Sequence, residues 1–300
     1  MHDFWTWLLF IVIFFSGLYL LSVLEKWIYQ DRLDWLGPLR KITFYLQQED
    51  VKPGQRDKIF YENAPFLFMA AVLMGLSVLP FTENRVIVDM ATGGLFINAA
   101  LAYIMVAMLM AGWSANGVYA LVGGWRFLAQ LVAYSMPVVM TITATVMRAE
   151  SISMFKIVES QEPLWNIIYQ PVGFILFYLA AMALAFLPPF DLPVAKGELA
   201  SGIWSEFTGS RMMVFRTARL MLILTLSMAV TTFFLGGWYG PFLPGFVWVL
   251  LKTMLVAASF FWVGKKMSRL HHDRMLAWSW KFATPAALIN IFYVGVILLL

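Results

Sequence analysis

Long apolar runs separated by charged connections make up most of this chain. Windows of about 19 residues place them at roughly 4–24, 64–82, 93–111, 125–147, 165–187, 213–236, 244–264 and 282–300. Each is close to the ~20 residues a helix needs to cross a hydrocarbon core. The pattern therefore predicts an all-α membrane protein, a bundle of about eight transmembrane helices. No segment repeats another and no low-complexity tract intervenes, so residues 1–300 are expected to form a single polytopic domain. The first run, Trp5 to Leu24, lacks a basic leader and a small-residue cleavage site, and is expected to be a retained helix rather than a signal peptide.

The polar connections set an orientation. Lys26, Arg32, Arg40, Lys41, Lys52, Arg56 and Lys58 lie in the first. Lys196 and Arg211 lie in the fifth, with Arg216 and Arg219 opening the next helix, and Lys265, Lys266, Arg269, Arg274 and Lys281 in the seventh. The second and fourth hold only Arg85, Arg148 and Lys156. The positive-inside rule puts the odd connections in the cytoplasm and both termini on the non-cytoplasmic side. The first and fifth connections are also the longest, and long loops in a compact bundle tend to be functional.

Composition narrows the chemistry. Only 13% of residues are charged and 61% are hydrophobic, with mean hydropathy +0.77, against about 25% charged in soluble domains. With no cysteine, the chain has no iron–sulfur, thiolate-metal or disulfide chemistry of its own. His2, His271 and His272 all fall in polar segments, so paired axial ligands for a haem inside the bundle are missing. No bound cofactor and no metal site is expected. The positive-inside bias accounts for the basic pI of about 9.2 without a nucleic-acid partner. An aromatic belt explains tryptophans and tyrosines near the helix ends, and the methionines read as packing.

A few charges require a reason. The fifth connection opens Leu187-Pro188-Pro189-Phe190-Asp191-Leu192-Pro193, where three prolines hold Asp191 rigidly between apolar neighbours. Glu198 and Glu206 follow eight residues apart and would share a face if the segment were helical. Solvation, or pairing with Lys196 and Arg211, is the structural alternative for these acids. Lys252, about a third of the way into the seventh run, is expected to face the bundle interior or water, with snorkelling as the alternative. Glu25, Arg126 and Asp89 sit at helix ends, where ion pairs are expected.

Several stretches resemble the NuoH family, the membrane subunit at the junction of complex I's hydrophilic and membrane arms. They are Gly112-Trp113-Ser114-Ala115-Asn116 with Tyr119-Ala120-Leu121, Arg126 and Ala129-Gln130; Pro189-Phe190-Asp191-Leu192-Pro193 with Glu198-Leu199, Gly202 and Glu206-Phe207-Thr208-Gly209; and Phe234-Leu235-Gly236-Gly237-Trp238 with Trp248, Lys252, Trp262, Arg269 and Asp273-Arg274-Met275. Glu25-Lys26, Glu49-Asp50, Pro53, Asp57-Lys58 and Ala64-Pro65 match its first part. The resemblance runs through the whole chain.

The resemblance implies a multi-pass subunit of a proton-translocating NADH:quinone oxidoreductase in a bacterial inner or equivalent energy-coupling membrane. It would line a chamber for a quinone substrate and seat other membrane-arm and peripheral-arm subunits that carry flavin and iron–sulfur clusters, with no activity in isolation. Asp191, Glu198 and Glu206 would serve the proton route, while Glu25, Arg126, Arg211, Arg216, Lys252 and Asp273 would stand at the chamber or junction. The chain departs from the family where Ser135, Leu184, Val194 and Lys196 replace glutamates and Leu187 an arginine. Valine and leucine cannot exchange protons, so the departures weaken the proton-route implication and leave the scaffold. The alternatives are the homologous scaffold of a membrane-bound hydrogenase or ferredoxin-linked complex, and a free-standing transporter, for which inverted halves are lacking. A prenyltransferase would require paired Asp-x-x-Asp motifs.

Overall fold

A computed structural model describes residues 2–83 and 85–299, apart from the side chains of residues 2–13 and of Lys196. In chain order the helices are α1 (His2–Gln30), α2 (Gly37–Gln47), α3 (Lys58–Ser77), α4 (Gly93–Ser114), α5 (Val118–Ala149), α6 (Met154–Glu159), α7 (Asn166–Tyr169), α8 (Pro171–Leu184), α9 (Lys196–Leu199), α10 (Gly209–Phe234), α11 (Gly245–Lys266), α12 (His272–Trp278) and α13 (Thr284–Leu299). Among the described residues six stretches are long and apolar enough to cross a membrane: α3, α4, α5, α10, α11 and the continuous run from α12 through α13. α1 has 29 residues and α8 only 14.

The core is one large cluster of buried apolar side chains, with a small second cluster of Leu176, Ala283 and Ala287 where α8 meets the last run. α10 lies at its centre, with 67% of its apolar window buried, against 22% for the α12–α13 run on the periphery. The connections gather at two ends. At one, the Asp57 amide donates to the Ser114 carbonyl (2.9 Å), Lys265 meets Asp31 (2.7 Å) and Arg269 meets Asp191 (2.5 Å). These contacts join the segments after α1, α4, α8 and α11. At the other end the Gly94 amide donates to Ile152 O (3.0 Å) and Gln161 Nε2 to Thr232 O (2.8 Å), joining the segments around α4, α6 and α10.

The apolar windows predict the long helices with ends within about seven residues, apart from three corrections. The run 165–187 is not one helix. It breaks at Gln170, where Pro171 starts α8 without an amide to donate backwards. The last run begins about ten residues earlier than 282, because Asp273, Arg274 and Lys281 hide a helix whose middle, Ser279–Ala283, is a π-turn. The turn is tied to α5 by Ser279 Oγ donating to Ala133 O (2.7 Å). The first connection is not an open loop. It contains α2, an amphipathic helix of 11 residues, too short for a 19-residue window, with Pro38 in its first turn.

Candidate functional site

The acidic connection between α8 and α10 is compact rather than extended. It carries two 3₁₀ turns, Leu192–Val194 and Gly202–Trp204, with α9 between them. Ala200, Ser201 and Gly202 all have positive φ. At Gly202 (φ +54°) a Cβ would lie 1.9 Å from the Pro193 carbonyl oxygen, so glycine is required where the two turns close on each other. The loop rests on the backbone of α5, since a Cβ on Gly123 would meet Ile203 N and Pro193 O, each at 2.8 Å. Because the backbone turns at 200–202, Glu198 and Glu206 do not share a helical face, contrary to the expectation from their spacing.

Asp191 is buried, with 7% exposure. Its Oδ2 accepts from Arg269 Nη2 at 2.5 Å, and the Leu270 amide reaches Pro189 O (3.3 Å), so the segment after α11 straps the acidic loop. Asp191 Oδ1 is buried without a partner. Burial raises the carboxyl above the usual carboxylate range, with Arg269 and Arg219 pulling the other way. Arg219, nearly three turns into α10, pairs with Glu25 (3.3 Å) and donates to the carbonyls of Ala185 (3.4 Å) and Phe186 (3.3 Å). Phe186 is held at φ +54°, unusual for a bulky residue. It is packed against Phe68, Phe127 and Trp204. The Tyr29 hydroxyl, beside Gly264 and the Pro188 carbonyl, is buried without a partner. A carboxyl of raised proton affinity with one oxygen unpaired, and the unpaired Tyr29 hydroxyl within its electrostatic reach, make a place where a proton or a small polar ligand can be received.

The remaining acids differ. Glu198 bonds Arg126 Nη1 at 2.7 Å and is half exposed, and the guanidinium holds its carboxyl below the usual range. The Glu206 carboxylate lies over Gly117, and its backbone carbonyl accepts from the Tyr61 hydroxyl at 2.8 Å. Arg211 binds Asp50 and lies 3.7 Å from Glu62, with its guanidinium 5.4 Å from the Tyr61 ring centre. Arg216 lies over Tyr45 of α2 at 5.1 Å. The expected end-of-helix pairs for Glu25 and Arg126 are present, with partners Arg219 and Glu198, whereas Asp89 is exposed.

Two expected residues stand apart. Asp273 is exposed in the first turn of α12. Lys252 turns inward at the opposite end of the bundle, where its ammonium donates to Leu235 O (2.7 Å), Gly237 O (3.1 Å) and Tyr239 O (2.7 Å). Sequence reasoning assigned no role to Arg219, Arg269, Tyr29 or Tyr61. Arg269 carries a signal, as a basic residue in a short connection facing an acidic one, but nothing local says which acid it meets. Among the described residues no group of acids and histidines has the arrangement of a metal site.

The chain matches the family model described as NADH dehydrogenase over residues 28–295. It is 36% identical over 274 residues to the NADH-quinone oxidoreductase H 1 subunit of Geobacter metallireducens, covering 88% of this chain and 83% of that protein. It is 37% identical over 270 residues to the corresponding H subunit of Bacillus cytotoxicus (89% and 81%) and 35% identical over 270 residues to that of Brevibacillus brevis (88% and 80%).

Proposed function

Since this chain belongs to the NADH dehydrogenase family and aligns with NADH-quinone oxidoreductase H subunits over most of its length, we propose that it is the H-type membrane component of an NADH-quinone oxidoreductase of the complex I kind. It crosses a bacterial inner or equivalent membrane about eight times, with α1 and α8 completing the set of spans and the Asp191 end in the cytoplasm. It binds no redox group of its own. Flavin and iron–sulfur clusters reside in partner subunits seated on the acidic end, and quinone is the substrate. The bundle's inner faces line the quinone chamber. Asp191, Glu198 and Glu206 link quinone reduction to proton movement, and Glu25, Arg126, Arg211, Arg216 and Asp273 shape the chamber and its junction.

One observation carries this reading: Asp191 is buried with one oxygen on Arg269 and the other free. Leu184 and Val194 offer no carboxylate nearby, so Asp191 is the acid placed to exchange a proton. Asp191→Asn keeps the size and the bond to Arg269 but removes the charge. In the assembled complex it is expected to lower quinone reduction at least about tenfold, on the order of 1.4 kcal/mol of barrier. If Asp191 only pins the loop, asparagine serves nearly as well, and full turnover by that variant would remove it from the proton route.

A further inference from the structure

We propose that Lys252 is a fixed cation that closes the end of the bundle away from the acidic loop against proton leakage. The ammonium is buried, with 6% exposure, about two turns into α11. Its three hydrogen bonds to Leu235 O, Gly237 O and Tyr239 O use all three of its protons. Only the charged form has three donors. A neutral amine would turn its lone pair onto one of these carbonyl oxygens. The positive charge is compensated by dipoles rather than by a carboxylate. The carbonyls stand just past the C-terminal, negative end of α10, and the Trp165 and Trp248 rings lie 4.3 and 5.7 Å from the nitrogen. Gly236 and Gly237, at φ +70° and +47°, form the left-handed turn that presents two of these segments. A Cβ on Gly236 would strike the Trp165 ring at 2.9 Å.

The neighbouring groups complete the closure. Gln161 Nε2 donates to Thr232 O (2.8 Å) and Asn166 Nδ2 to Phe233 O (2.7 Å), while the amides of Leu235 (3.1 Å) and Gly237 (3.0 Å) take Thr231 O, so three of the last carbonyls of α10 are occupied. Leading up to this point along α10 are the buried hydroxyls of Thr225, Ser227, Thr231 and Thr232, which donate back to carbonyls of the same helix and leave their oxygens as acceptors for water or a proton. A cation whose compensation is spread over fixed dipoles repels a second positive charge without offering it a site, as electrostatic barriers do in proton-excluding channels. The proposal requires that the chain spans a membrane, and it is independent of how quinone is handled.

The test uses the assembled complex in sealed vesicles, with no electron donor or quinone added. Passive proton entry after an external acid jump is followed with an internal pH dye. Lys252→Met and Lys252→Gln are expected to leak on the order of tenfold faster than the parent, and Lys252→Arg to remain tight. Gln retains donors for the carbonyls, so it assembles more readily than Met. A neutral variant that assembles and stays as tight as the parent overturns the proposal, as does an Arg variant as leaky as the neutral ones. If neither neutral variant assembles while Arg does, Lys252 is only a structural cap and the proposal fails.

Discussion

The two ends of the bundle are held by different chemistry. At the acidic end, charged side chains meet one another: Asp191 with Arg269, Glu25 with Arg219, Glu198 with Arg126, Arg211 with Asp50, and Lys265 with Asp31. At the far end, side chains bind backbone or amides. Lys252, Gln161 and Asn166 cover carbonyls, and Arg148 donates to the Asn166 side chain (2.6 Å). Ion pairs can be separated by protonation, salt or a competing ligand, whereas carbonyl contacts last as long as the backbone holds. The adjustable contacts therefore gather at one end and the rigid ones at the other.

Four perturbations sharpen that contrast. Gly202→Ala should have the largest effect, because φ and the Pro193 carbonyl both forbid a Cβ. A loss of about 2–5 kcal/mol would appear as a sharp drop in recovered complex, and near-normal yield would mean the acidic loop is softer than its geometry. Asn166→Leu at the far end removes bonds to Phe233 O and Arg148. We expect about 2 kcal/mol in thermal stability, with the same deficit in low and high salt. A deficit that salt abolishes would make this end electrostatic after all.

The third is a pair of opposite pH responses. Asp191 is raised by burial, so its contribution to stability is fullest in acid and is lost as pH climbs through its raised value; acidification from neutrality should stabilise the parent relative to Asp191→Asn. Glu198 is lowered by Arg126, so its contribution is present above the ordinary carboxylate value and is lost as pH falls through its depressed value. Melting curves of the parent, Asp191→Asn and Glu198→Gln complexes between neutral and acidic pH test this, and differences of the same sign for both residues would refute it. The smallest effect is Glu198→Gln at neutral pH. The pair is 45% exposed on the carboxylate side, so stability should change by about 0.5 kcal/mol or less. A larger change would place that pair in the stable framework.

Six long apolar helices were legible because a bilayer demands long apolar runs, and the basic residues of alternate connections do converge on one end. Asp191 was legible too, since prolines and apolar neighbours announce a buried acid. Its partner was not, because Arg269 is 78 residues away and pairing across a fold leaves no local trace. The break at Gln170 and the early start at His272 were missed for a common reason. A hydropathy window averages over a proline, and it discounts charged residues that lie on the outer side of a helix end. The inward direction of Lys252 was legible from its depth, but its partners were not, since its three acceptors are backbone atoms that any residue supplies.

α10, like α5 and α11, takes part at both ends, with Arg211, Arg216 and Arg219 in its first three turns and its last carbonyls under Gln161 and Asn166. From Arg219 to Leu235 is 16 residues, about 24 Å at the rise of an α-helix. Deleting a single residue between them would shorten that span by about 1.5 Å and rotate one end against the other by roughly 100°. Arg219 or Lys252 would then face the wrong neighbours. The stretch between these two positions is thus a gauge of fixed length: side chains along it can be exchanged, but the number of residues cannot.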